Sequence, residues 1–244
     1  MHIDYILQIG EFHTNHCEDF LLIENTADHE KLVAVFDGCS SGNESVFASI
    51  LFGKLLRNIS KKEFHKDFIT KEKTNLSDKL YSISKQFFNE LKVIKNLLDL
   101  DVYELLSTLI LAIVNTETKA AEILIAGDGL ITVNQKHYDF ESNDKPNYLA
   151  YHLKDSFLDW YHNQTQKITV PNFKTLSLAT DGIFAFKNLK NSKAYKSEDE
   201  IISFLLHEEK SMTLKSKIKT LERNFDYVPT DDIAIIKIES YINE

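Results

Sequence analysis

Leu32-Val33-Ala34-Val35-Phe36-Asp37-Gly38 is the stretch on which the fold turns. Five apolar residues in succession, two of them valine, read as a short buried β-strand. The strand ends on a carboxylate, and the glycine beside it lets backbone approach a ligand closely. The same device recurs further along. Ala121 to Ile125 leads into Gly127-Asp128-Gly129, Thr175 to Ala179 leads into Thr180-Asp181-Gly182, and Asp231-Asp232 opens a last strand over Ile233 to Ile238. The chain has only seven glycines, and four of them flank these aspartates, so the pattern is not a by-product of glycine abundance. Carboxylates gathered at strand ends form an oxygen-lined site suited to hard divalent cations.

Working outward, Asp4 to Ile9 and Phe20 to Glu24 read as strands that neighbour the first Asp-Gly. Ser41-Gly42-Asn43-Glu44 matches a capping box and predicts a helix to about Ile59, with Val46, Ile50, Leu51 and Leu55 on one face. Lys61 to Thr74 is polar and lysine-rich and reads as a loop or frayed helical connection. From Leu76, apolar residues at Leu80, Ile83, Phe87, Leu91, Ile94 and Leu98 predict a long amphipathic helix. Ser107 to Val114 and Ala121 to Ile125 read as a hairpin, with Leu130 to Val133 continuing after a tight turn. Ser197 to Leu206 and Met212 to Arg223 read as helices. Strand runs alternate with helix pairs, which favours antiparallel sheets flanked by helices over a doubly wound parallel sheet.

Composition narrows the function. A formal charge of −9 argues against a nucleic-acid partner, which needs a basic surface. The longest mostly apolar stretch, Leu105 to Val114, is half of what a membrane helix needs, so no membrane partner is expected. The first residues lack a secretory pattern and the two cysteines, Cys17 and Cys39, make no disulfide framework. A cytoplasmic location is the expectation. At 244 residues and 43% hydrophobic, one domain spanning 1–244 is the default.

Two divalent ions about 3.5 to 4 Å apart can share a bridging water, lower its pKa and neutralise a phosphoryl group. A single Asp-Gly is also a favoured turn dipeptide, so any one of these motifs alone reads as a turn. Five acidic elements in this order carry much more. The order resembles that of the type 2C metal-dependent serine/threonine protein phosphatases, the PPM family. Glu18-Asp19 resembles that family's early Glu-Asp, Val33 to Gly38 its strand ending in Asp-Gly, and Ser107-Thr108 with Gly127-Asp128-Gly129 its Ser-Thr strand and Gly-Asp turn. Leu176 to Gly182 and Asp231-Asp232-Ile233-Ala234 resemble its last two elements.

The resemblance implies an α+β, four-layer αββα sandwich with two central antiparallel sheets flanked by helices. It implies two divalent metal ions, Mn or Mg, and a weaker third. Asp37 would bridge two metals and the Gly38 carbonyl would ligate one. Asp181 and Asp231 would hold the first, Glu18 would act through water on the metal, and Asp128 would help bind the third. The implied reaction is hydrolysis of phosphoserine or phosphothreonine by a metal-bridging hydroxide. The implied substrate is a phosphorylated protein, with a cognate kinase as a further candidate partner.

The chain departs from the family in several places. Thr14 stands where many members have a phosphate-gripping arginine, so His13, Thr14 or His16 is the candidate substrate-binding group. Cys39 and Ser40 follow Gly38 in place of His-Gly, Ala185 replaces a further aspartate, and Asp232 replaces an asparagine. Residues 138–168 occupy the position of the family's variable flap. Extra strand pairing and a mobile loop are expected there, with core packing or a surface hairpin the leading account of most of Tyr148, Tyr151, Trp160 and Tyr161 and substrate contact the second. Two alternatives stay open: a catalytically weak sensor or partner-binding domain of the same fold, and an acidic scaffold whose Asp-Gly pairs are all turns.

Overall fold

The computed structural model describes residues 1–40, 42, 45–70, 74–140, 146–189, 196–207 and 212–240. Its strands are β1 (His2–Gln8), β2 (Phe20–Ala27), β3 (Glu30–Phe36), β4 (Leu109–Asn115), β5 (Ala121–Ala126), β6 (Leu130–Val133), β7 (Lys136–Asp139), β8 (Lys167–Val170), β9 (Thr175–Ala179), β10 (Phe186–Asn188), β11 (Tyr227–Pro229) and β12 (Ile233–Glu239). The helices are α1 (Ser45–Thr70), α2 (Leu76–Leu97), α3 (Phe157–Asn163), α4 (Glu198–Leu206) and α5 (Leu214–Phe225). One five-stranded sheet runs β2-β3-β4-β5-β8 and the other β1-β12-β9-β6-β7, every pairing antiparallel. A two-stranded ribbon joins β10 to β11.

Alternation of side chains along each strand explains the layers. Leu32, Ala34 and Phe36 of β3 point into a core shared with α1, α2 and α3, while Val33 and Val35 point the other way, between the sheets. In β4, Leu109, Leu111 and Ile113 join the helix-side core and Ile110, Ala112 and Val114 the inter-sheet core. In β12, Ala234, Ile236 and Ile238 face the inter-sheet core, and Ile233 and Ile235 a third core under α4 and α5. Helix, sheet, sheet and helix therefore stack in four layers. Both faces of the central strands are covered, which is why they read as unbroken apolar runs.

Three expectations need correction. The helix expected to end near Ile59 continues to Thr70 as α1, so the helical reading of the lysine-rich stretch holds and the loop reading does not. Its charged residues are good helix formers, and Lys62 reaches Glu90 of α2 at 2.9 Å while buried Lys79 of α2 lies 3.7 Å from Asp67. The buried face of the helix is also shifted, keeping Leu55 and Leu51 of the expected stripe but not Val46 and Ile50. Ala48, Phe52, Leu55, Leu56 and Ile59 enter the core, and Val46 and Ile50 turn outward to a surface groove. The Ser41 capping box falls on residues outside those described.

The 138–168 region supplies the third correction. It carries strand pairing through β7 and β8, as expected, but also helix α3; Trp160 and Tyr161 are buried against α2, and Tyr148 is buried in the same core beside Tyr151. Phe88 stacks on Trp160, and Tyr81 meets Tyr161 edge-on. These aromatics are core, which removes them as substrate contacts. Among the described residues, no helix is long and apolar enough to cross a membrane.

Candidate metal centre

The centre forms where the ends of β3, β5 and β9 meet the loops before β2 and β12. Asp37 is fixed through its backbone: its N–H donates to Thr108 Oγ1 at 3.0 Å, and its carbonyl accepts from the Thr108 N–H at 2.8 Å. Gly38 then pairs with Ser107 as an isolated bridge. A Cβ at Gly38 would lie 2.3 Å from the Ser45 carbonyl oxygen and 2.8 Å from that of Glu18, so only glycine lets the three segments close together here.

Asp128 sits at the apex of the β5–β6 turn, with Gly127 at φ +112° and Gly129 at φ +130°, a conformation that L side chains rarely adopt. Asp181 begins a 3-10 turn, Asp181–Phe184, directly after β9. One carboxylate oxygen from each of Asp37, Asp128 and Asp181 lies within 4.8 Å of the others, the group among the described residues that can converge on one cation. Asp231 joins Asp128, Asp139 and Asp181 in lining an open cleft of about 310 Å³ on one side.

The electrostatics are those of crowded, desolvated carboxylates. Burial, followed by the charges of Asp19 and Asp181, holds the Asp37 carboxyl well above its usual range. Burial, with Asp128 and Asp231 nearby, raises Asp181 to about 7, and burial raises Asp19 to about 8. Burial likewise raises Asp128. Each shift has the sign expected of a desolvated carboxyl without a counter-charge.

Asp19, the neighbour of Glu18 to which the sequence reading gave no role, is the acid of the pair that is turned inward. It is buried, accepts from Thr180 Oγ1 at 2.6 Å, and its Oδ1 has no hydrogen-bond partner among the described residues. The sequence carries no signal that separates the two acids, because both precede β2 in irregular chain. Glu18 takes the outer side, where its carboxylate accepts from Ser40 Oγ and Ser45 Oγ, each at 2.7 Å.

Asp232, buried beside Asp231, organises the loop that precedes β2. Its Oδ1 accepts from the Gly10 N–H at 2.8 Å and its Oδ2 from the Glu18 N–H. His13 Nδ1 lies 2.9 Å from Asp232 Oδ2, and His13 Nε2 lies 3.4 Å from Asp231 Oδ1. Burial of His13 opposes its charge, but Asp232, Asp231 and Glu18 outweigh that and raise its pKa. Thr14 and His16 line a groove of about 720 Å³ between this loop and the start of α1. Burial and the charges of Asp232 and Asp19 push the Cys17 thiol up to about 12, away from the thiolate form.

The donor set fits a hard divalent cation. It is all oxygen, and burial with mutual repulsion raises the pKa of Asp37 and Asp181, an effect that a cation would relieve. Asp37, Asp128 and Asp181 form the convergent group. Asp231 lines the adjoining cleft, and the Glu18 carbonyl packs against Gly38.

A four-layer α+β sandwich with an acidic centre at the mouth between its sheets is the class that fold and site define. A family profile described as Protein phosphatase 2C matches residues 12–221, and the chain belongs to that family. Solved structures with the same fold include a bacterial serine phosphatase at 14% identity and TM-score 0.60, covering 100% of this chain and 99% of that one. The serine/threonine phosphatase Stp1 from Staphylococcus aureus aligns at 12% identity and TM-score 0.56, covering 98% and 95%. RsbX in complex with magnesium aligns at 14% and TM-score 0.50, covering 96% and 92%. No curated protein sequence matches the chain. At such identities the structural likeness speaks for the fold, and the site has to be argued from its own residues.

Proposed function

We propose that this protein is a divalent-metal-dependent phosphatase that hydrolyses phosphoserine or phosphothreonine in proteins, with its chain acting as one catalytic unit in the cytoplasm. The observation that carries the reading is the convergence of Asp37, Asp128 and Asp181 within 4.8 Å on a fold of the Protein phosphatase 2C family. Asp37, Asp128 and Asp181 would hold Mn²⁺ or Mg²⁺, with Asp231, Glu18 and the Gly38 carbonyl as further oxygen donors. Magnesium in the related RsbX supports the choice of ion. Bound divalent cations supply the positive charge that a phosphoryl group needs and acidify water.

The chain's own residues preorganise the site. Thr108 locks the Asp37 backbone from both sides, and Ser40 and Ser45 hold the Glu18 carboxylate. Both ring nitrogens of His13 face carboxylates. His13 therefore brings positive charge to the edge of the centre and limits repulsion of a phosphate, while Thr14 and His16 lie on the groove where substrate would enter. Hydrolysis of an aryl phosphate with Mn²⁺, reduced at least about 100-fold in Asp37→Asn and Asp181→Asn, is the expected result. Absence of turnover with every divalent metal would reject the reading.

A second reading is a metal-binding sensor domain with weak turnover. It is favoured by one observation: among the described residues, the groove lining contains no arginine or lysine. Calorimetric Mn²⁺ binding without phosphate release would select it.

A further inference from the structure

The groove beside the centre is lined by apolar residues that the core absorbs only in part. Val46 and Ile50 of α1 lie off the buried face formed by Ala48, Phe52, Leu55 and Leu56. Phe12, also in the lining, is 61% exposed, and Lys187 sits 5.3 Å from its ring centroid. Phe47 lines the groove while packing in part against the helix-side core. Partly exposed aromatic and aliphatic side chains lining one concave surface are the ordinary make-up of a recognition pocket. The groove is continuous with the candidate centre, because Glu18, Ser40 and Ser45 form its inner end and Gly38 packs directly against Glu18 and Ser45.

We propose that this groove seats the polypeptide flanking the phosphoresidue and selects segments that carry a bulky apolar side chain. The proposal rests on the phosphatase reading and adds the substrate's sequence class to it. Charge points the same way. The chain carries −9, and the cleft on the other side of the centre is lined by Asp128, Asp139, Asp181 and Asp231. Acidic flanks are repelled on that cleft side. The groove, by contrast, offers neutral Thr14 and Asn15 with the apolar pair Phe12 and Ile50, and Glu18 is the carboxylate in its lining.

The test uses labelled phosphoserine decapeptides that differ only in placing Leu, Phe, Ala or Asp at one of the four positions on either side of the phosphoresidue. Phosphate release with Mn²⁺ gives kcat/KM, and fluorescence anisotropy gives Kd without turnover. At one position, Leu or Phe is expected to raise kcat/KM roughly 10-fold over Ala, the scale at which an apolar pocket discriminates. Phe12→Ser and Ile50→Thr are expected to shrink that preference to about 2-fold or less, with aryl-phosphate turnover and melting temperature unchanged. Uniform rates across the peptides, or an undiminished preference in both variants, would overturn the proposal while leaving the phosphatase reading intact. If no aryl phosphate is hydrolysed, the phosphatase reading falls, and anisotropy decides the groove: tighter binding of Leu or Phe peptides that is lost in the two variants upholds it, and equal binding ends it.

Discussion

Thr180 Oγ1 donates to Asp19 Oδ2 at 2.6 Å and so joins the end of β9, in one sheet, to the residue before β2, in the other. Thr180 Oγ1 also accepts from the Ala234 N–H at 2.9 Å, which ties in β12. One hydroxyl thus holds three segments at the carboxylate centre. Thr180→Val keeps the shape and removes the hydroxyl, leaving a buried carboxylate and a buried N–H without their partner. A loss of about 2 to 4 kcal/mol in urea unfolding is expected. Thr180→Ser keeps the hydroxyl and is expected to recover most of it. Equal stability of the Val and Ser variants would show that the hydroxyl is dispensable.

The crowded carboxylates set a pH dependence of opposite sign with and without metal. In the unfolded chain these aspartates ionise near pH 4, but in the folded protein Asp181 holds its proton to about 7 and Asp19 to about 8. Between those limits the folded metal-free state binds more protons than the unfolded one, so its stability falls as pH rises. In EDTA, the melting temperature is expected to drop by on the order of 5 to 10 °C from pH 5.5 to 8. Mn²⁺ competes with those protons, and its affinity is expected to rise across the same interval. A melting temperature in EDTA that is flat or rising from pH 5.5 to 8 would contradict the assignment.

Gly129 tests the turn that presents Asp128. Its φ of +130° is unfavourable for an L side chain, and a Cβ there would fall 2.7 Å from both the Ala179 carbonyl oxygen and Ile110 Cδ1. Gly129→Ala is expected to cost about 2 kcal/mol or more and to weaken Mn²⁺ binding by displacing Asp128. Calorimetry and thermal melting read the two effects separately. A variant with unchanged stability would show that the turn relaxes freely.

Much of this was legible in the sequence because both its periodicities and its turn chemistry were strong. The Asp-Gly elements after β3, β5 and β9 were placed correctly because each follows a strand buried on both faces and ends on a residue that allows tight backbone approach. The face of α2 that buries Leu80, Ile83, Phe87 and Leu91 followed from spacing alone. The misreadings have a common cause. The end of α1 is polar because it is solvated on most sides, and ion pairs to α2, invisible in one dimension, keep it helical. Val46 and Ile50 fit a helical apolar stripe, but spacing cannot tell a core from a groove. Asp19 was given no role because choosing between adjacent acids requires knowing which of them the chain turns inward.

Asp232 is the residue on which the loop carrying His13, Thr14 and Glu18 depends. It is buried, and its two oxygens take the Gly10 and Glu18 N–H groups while His13 Nδ1 stands 2.9 Å away. Asp232→Ala strands two backbone donors and removes a counter-charge, for an expected loss of about 2 to 5 kcal/mol. Asp232→Asn retains one acceptor oxygen and is expected to lose less than half as much. The two variants also separate anchoring from electrostatics. Proton NMR of the His13 ring should show its pKa, raised in the parent protein chiefly through Asp232 against the effect of burial, falling in both variants. Phosphatase activity should suffer more in Asp232→Ala, where Glu18 and the wall of the groove lose their tether. An Asn variant that is as unstable as the Ala variant would mean that charge on Asp232, rather than the geometry of its acceptors, holds the loop.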